Sequence, residues 1–173
     1  MRKFILISLL VFAGFNSRAQ YDLSIIGNVV EAYFETMGQS DLELRKKGLD
    51  SLLTSQANIT AVLLGDNGKS SITSGTANQF LDDSEAFYAD FSIKFDEQAR
   101  EVDYYLELAS VHVLVDQLST KKSNRRIYEQ HLWLQMDLVF YNERWHISNI
   151  LWINESSRDI RGALVQDTLV RVP

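Results

Sequence analysis

The chain has 173 residues, 46% of them hydrophobic, with 8 glycines, a single proline and no cysteine. That describes one domain with material for a core, and it excludes fibrous architecture, disulfides, thiolate metal sites and cysteine nucleophiles. The net charge of −6 opposes phosphate backbones and anionic membrane surfaces, so neither nucleic acid nor membrane is expected as a partner.

Residues 1–19 read as an export signal rather than as fold. Arg2 and Lys3 give a positive start, Phe4 to Phe15 an apolar run, and Ser17 and Ala19 the small residues before a cleavage point at Gln20. The run is shorter than the ~20 apolar residues that a membrane span needs. A secreted or periplasmic location follows. Removal of the segment leaves 14 basic and 23 acidic side chains.

The first helix is expected between Leu23 and Met37, where Ile25, Ile26, Val29, Val30, Tyr33, Phe34 and Met37 fall on one stripe and Gly38 ends the run. Ser40 and Glu43 read as the capping box of a second helix with Leu42, Leu49, Leu52 and Leu53 as its apolar face. Gly48 inside it predicts a short or bent helix. A strand over Asn58–Leu64, a turn at Gly65–Asp66–Asn67–Gly68 and a short return over Lys69–Thr73 come next. Thr76 and Gln79 form a second capping box, opening a helix with Phe80, Leu81, Phe87 and Tyr88 on one side.

From Val102 the pattern alternates. Val102, Tyr104, Leu106 and Leu108 make one row, and Ala109, Val111, Val113 and Val115 another. Lys121, Lys122, Arg125 and Arg126 lie in a polar loop and read as a solvated hairpin. Ile127–Tyr141 is a long strand, Asn142–Glu143 a tight turn without the usual glycine, and Arg144–Ile153 the last strand. Residues 20–155 form the domain, and 156–173 read as a C-terminal extension.

Helices first and a long antiparallel meander last point to an α+β fold. The arrangement resembles the nuclear transport factor 2-like, or SnoaL-like, superfamily over roughly Leu23 to Glu155. The resemblance rests on Arg144–Trp145–His146–Ile147 leading to Ile150–Leu151–Trp152, on Arg100 to Val111, and on the Val29–Met37 helix before Ser40–Asp41. It implies a cone-shaped, strongly curved antiparallel sheet packed on N-terminal helices, with a pocket on the concave side. The superfamily includes enzymes, ligand binders and proteins that only dimerise, so fold does not fix function.

The candidate chemistry follows from strand parity. His112, His131 and His146 all fall on rows opposite the apolar ones, which removes them from a concave pocket. The separation of His131 from His146, eight residues at ~3.3 Å each, rules out one metal held by all three. Asp82, Asp83, Asp90, Asp96, Glu97, Asp103 and Asp137 read as solvated charges. Phosphate-loop, nucleophile-elbow and metalloprotease motifs are missing from the sequence, and neither metal nor cofactor is expected.

Tyrosine offers an apolar body with one hydroxyl, so Tyr33, Tyr88, Tyr104 and Tyr128, with Gln130, are the pocket candidates. His131, Trp133, Tyr141 and Trp152 are assigned to an outer face that pairs two copies. The expected function is a module binding a small apolar ligand or a partner protein. The alternative is a small cofactor-free isomerase, dehydratase or cyclase using Tyr33, Tyr104, Tyr128 and Gln130.

Overall fold

Three helices and six strands form the computed structural model, which describes residues 21–64 and 70–155. The expected export signal, the expected turn at Gly65–Gly68 with Lys69, and the expected extension from Ser156 lie outside the described residues. None of the described helices is long and apolar enough to cross a membrane.

Helix α1 (Ile26–Met37) buries Val29, Val30, Tyr33 and Met37, the stripe set by its sequence spacing. Gly38 follows with φ −76°, so it does not end the helix through a left-handed turn. A Cβ there would stand 3.3 Å from the Ile93 carbonyl oxygen, and this close backbone approach favours glycine. Helix α2 (Leu42–Leu52) is capped by Asp41 rather than Ser40, its carboxylate accepting from the Leu44 N–H at 3.0 Å. Gly48 lies where α2 crosses α1. A Cβ at Gly48 would meet Thr36 at 2.5 Å, so the glycine allows the two helices to approach.

Strand β1 (Leu53–Leu64) leaves α2 directly and pairs with β2 (Ser70–Thr76). Helix α3 (Ala77–Asp90) opens with the expected reciprocal box between Thr76 and Gln79. Strands β3 (Phe91–Tyr105), β4 (Leu108–Lys121), β5 (Ile127–Tyr141) and β6 (Arg144–Glu155) form the meander. Between β5 and β6, Asn142 and Glu143 take φ of 51° and 62°, the paired left-handed geometry of a two-residue hairpin.

The sheet order is β2-β1-β6-β5-β4-β3. All pairs are antiparallel except β1 with β6, which run parallel, so the sheet is mostly rather than wholly antiparallel. This pairing cannot be read from the local pattern, because β1 and β6 are far apart in sequence.

Two bulges decide which way side chains point. Glu97 pairs with Val115 and Ala99 with Leu114, leaving Gln98 unopposed in β3. Leu138 pairs with Ile147 and Asp137 with Asn149, leaving Ser148 unopposed in β6. Beyond Ser148 the inward row continues as Ile150 and Trp152. The core gathers on that inner face, where Val111, Val113, Leu134, Met136, Ile147 and Ile150 are fully enclosed against α1 and α2.

Candidate functional site

One end of the inner face is left incompletely filled. Helix α3 crosses over β1, β3 and the near ends of β4–β6. A cavity of about 150 Å³ remains between them. Its wall is mainly apolar, with Phe80, Phe87 and Tyr88 from the helix and Leu132 and Trp152 from the sheet. Ser84, Gln117, Gln130 and Asn154 supply its polar edge. Gln117 Nε2 donates to Ser119 Oγ at 3.0 Å and to Gln130 Oε1 at 3.4 Å, which fixes the amides at the sheet side. A mostly apolar recess with a few placed polar groups is the usual form of a small-molecule site, although this one is smaller than most.

Behind the Tyr88–Trp152 end lies a group of buried donors. Arg45, on the inward face of α2, is 1% exposed. Its guanidinium carbon is 3.4 Å from the centre of the Tyr88 ring. Its Nε and Nη1 atoms have no hydrogen-bond partner among the described residues, and the same holds for Tyr33 Oη and Trp152 Nε1. Desolvating a guanidinium costs several kcal/mol, and a cation–π contact returns about 2 kcal/mol. The packing therefore leaves part of the charge uncompensated by the described residues.

The surroundings also hold both hydroxyls in the protonated state. Burial, then Tyr88, pushes Tyr33 well above its ordinary value, with the nearby Trp152 N–H acting the other way. Neither the hydroxyl nor that N–H has a hydrogen-bond partner among the described residues. Burial also raises Tyr88, and Arg45 partly offsets it.

The structure brings together part of the predicted pocket. Tyr88 and Gln130 line the cavity. Tyr33 stands just behind it, its ring 6.2 Å from that of Trp152. Tyr128 lies on the same inner row but further out, edge-on to Phe91 at 5.8 Å and outside the lining. Tyr104 is not in the pocket. It occupies the inner row opposite Ala109, but there β3 and β4 run past the helices, and Tyr104 is 74% exposed.

Trp152 requires the larger correction. Assigned from parity to the outer face, it lies inside, opposite Leu134 and Ala61 and stacked on Phe80 at 6.4 Å. The reason is the extra residue, Ser148, which reverses the alternation carried forward from Trp145 and Ile147. Arg45 was missed altogether, although Leu42, Arg45, Leu49 and Leu52 fall at helical spacing and so place the arginine on the apolar face.

The remaining outer-face residues stand on the outer rows. Trp133 packs tilted against His112 at 5.5 Å, and Tyr141, 54% exposed, covers His146 at 4.6 Å. His146 points outward but is buried rather than on the surface. Burial, then the Arg144 cation, lowers its pKa, and a Tyr141 backbone hydrogen bond partly offsets them. The Arg144 Nε–H donates to His146 Nε2 at 3.1 Å, which requires that nitrogen to be unprotonated.

Across β4 and β5, His131 Nδ1 hydrogen-bonds the Asp116 carboxylate, and Glu129 lies beside them. These three groups offer ligand atoms within 4.8 Å of one another. The trio combines one histidine with two carboxylates, a combination that counting histidines alone does not anticipate. Asp137, expected as a solvated charge, is instead part of a network. Its carboxylate accepts from Ser110, Gln135 and Asn149 at 3.0–3.1 Å, while its carbonyl accepts from the bulged Ser148 at 2.9 Å.

No protein-family model matches the chain, and no curated protein matches its sequence. Solved structures do match. A proposed dehydratase of the nuclear transport factor 2-like family from Streptomyces avermitilis superposes with a TM-score of 0.58 at 17% identity, covering 79% of this chain and 97% of that one. A ketosteroid isomerase-like protein from Erwinia carotovora atroseptica gives 0.51 at 13%, covering 82% and 99%. A nuclear transport factor 2-like protein of unknown function from Shewanella baltica gives 0.51 at 17%, covering 76% and 92%. At these identities the likeness is one of fold.

Proposed function

The chain has the nuclear transport factor 2-like fold, and on that premise we propose that it is an exported module binding a small, largely apolar molecule. The cavity under α3 carries this reading. It is walled by aromatic rings and edged by Ser84, Gln117, Gln130 and Asn154, which suits capture and orientation of a compact ligand.

Two of the structural relatives bear the names of enzymes, a proposed dehydratase and a ketosteroid isomerase-like protein. Proton transfer near neutral pH calls for a carboxylate, imidazole or amine tuned to that range. None of these stands among the described residues that line the cavity. Tyr88 is raised from an ordinary value of 10.0 and does not act as a base near pH 7. The composition of the wall therefore favours binding over the isomerase, dehydratase or cyclase alternative.

Pairing of two copies through the outer sheet face is a second reading of the same molecule. Trp133 with His112, the exposed Tyr141 and the half-buried Leu114, Leu118, Leu151 and Ile153 support it. A chain that sediments as a monomer would remove this reading.

Native mass spectrometry of the chain from Gln20 onward, purified from its own host, tests the binding reading. The expected result is a mass excess from one small retained molecule, lost on denaturation. A clean protein mass, with no shift on soaking in small organic probes, would refute it.

A further inference from the structure

Resting on the binding-module reading, the donors behind the cavity narrow the class of ligand. Arg45, Tyr33 and Trp152 come from α2, α1 and β6, and all are buried. The polar atoms left without partners among the described residues are Arg45 Nε and Nη1, Trp152 Nε1 and Tyr33 Oη. The first three are donors only, and the Tyr33 hydroxyl keeps its proton. The ion pairs among the described residues involve Lys46, Arg100 and His131, and none involves Arg45. Buried polar groups are nearly always satisfied, and a buried charge is nearly always paired. A cluster with donors in excess and one positive charge selects for an acceptor that is negative.

The cavity supplies the place for it. Tyr88 and Trp152 both line the cavity, and both belong to the donor cluster, Tyr88 through the guanidinium on its ring and Trp152 through its own N–H. The rest of the wall is apolar apart from Ser84, Gln117, Gln130 and Asn154. About 150 Å³ is the space of roughly five waters at ~30 Å³ each, which sets the size of the guest.

We propose that the cavity takes a small monocarboxylate. Its apolar body lies against Phe80 and Phe87, and its carboxylate turns toward Tyr88 and Trp152, where Arg45 balances the charge. Arg45 stands outside the lining, against the Tyr88 ring, so it acts through its charge rather than by direct contact.

Calorimetric titration of the full chain at pH 7.5 and fixed ionic strength tests this. The probes are butyrate and benzoate, set against butyramide and benzamide, which keep the shape without the charge. The acids are expected to bind at least tenfold more tightly than their amides. Arg45→Met should abolish that ratio, with the acids binding no more tightly than their amides. If that variant does not fold, the acid-to-amide ratio of the natural chain and of Tyr33→Phe still decides the point. The Tyr33→Phe ratio is expected to fall by a few fold.

Equal binding of acids and amides would overturn the carboxylate inference and leave the binding module standing. Unchanged binding of the acids by Arg45→Met would overturn it in the same way. Failure of all four probes, with no molecule retained on the chain from its own host, would overturn both readings.

Discussion

The two faces of this sheet are built from alternate residues of the same strands, yet they solve opposite problems. On the inner face, helices exclude water, and three of the polar groups caught there, Arg45, Tyr33 and Trp152, hold atoms with no hydrogen-bond partner among the described residues. On the outer face none of the described helices covers the strands, and polar groups satisfy one another across strands, as Asp137 does with Ser110, Gln135 and Asn149. A polar group becomes costly through what covers it rather than through its position along a strand. That contrast places the candidate site under α3 and makes the outer face a candidate for contact between copies.

The faces are also linked. Ser148 and Asn149 bond to Asp137 on the outside, and the bulge they form sends Trp152 to the inside. An outer network thus sets the residue that floors the inner cavity.

The largest expected effect tests the inner face. Trp152→Ala removes a buried indole packed on Tyr33, Phe80 and Phe95 and should lower stability by about 3–5 kcal/mol in urea denaturation. A loss below about 1 kcal/mol would mean that the ring is not enclosed as described.

Asp137→Ala tests the link between the faces. Three donors lose a carboxylate acceptor, at an expected cost of about 2–3 kcal/mol. If the bulge depends on this carboxylate, the emission of Trp152 should also shift, and in a Trp133→Phe, Trp145→Phe background that signal is read alone. Unchanged emission would separate the two faces.

Trp133→Ala tests the outer face and sharpens the contrast with Trp152. As a half-buried ring packed against His112, it should cost a single chain only about 1 kcal/mol. A much larger, concentration-dependent loss is the result expected if two copies pair there.

The smallest effect concerns pH. Because His146 has a lowered pKa in the folded chain, its contribution to stability is complete above the ordinary value of 6.5. It is lost as pH falls from there toward the folded value. The stability difference between the natural chain and His146→Gln should therefore shrink between pH 7.5 and pH 5.5. A difference independent of pH would show that the imidazole is not held neutral by its neighbours.

Much of the fold was legible in the chain. The stripe of α1, the Thr76–Gln79 box and the alternation of β4 and β5 are local patterns, and local patterns carry through to the folded state when the covering surface matches them. The rows that carry Tyr88 and Gln130 to the cavity wall were legible for the same reason. Tyr104 was not excluded from the pocket, because parity gives a row and says nothing of how far the helices extend over it. Trp152 was misplaced because a bulge adds one residue without a mark in the sequence, and Ser148–Asn149 looks like any pair of small polar residues.

By itself the sequence determined which residues are apolar, at what period they recur and where helices are capped. These are properties of neighbours within a few residues. Only the tertiary structure decided that β1 lies parallel to β6, that Trp152 turns inward and that Arg45 is enclosed without an acidic partner among the described residues. Each of these depends on what distant segments place opposite a residue, and burial, which sets the energy of a charge, is a property of that surrounding.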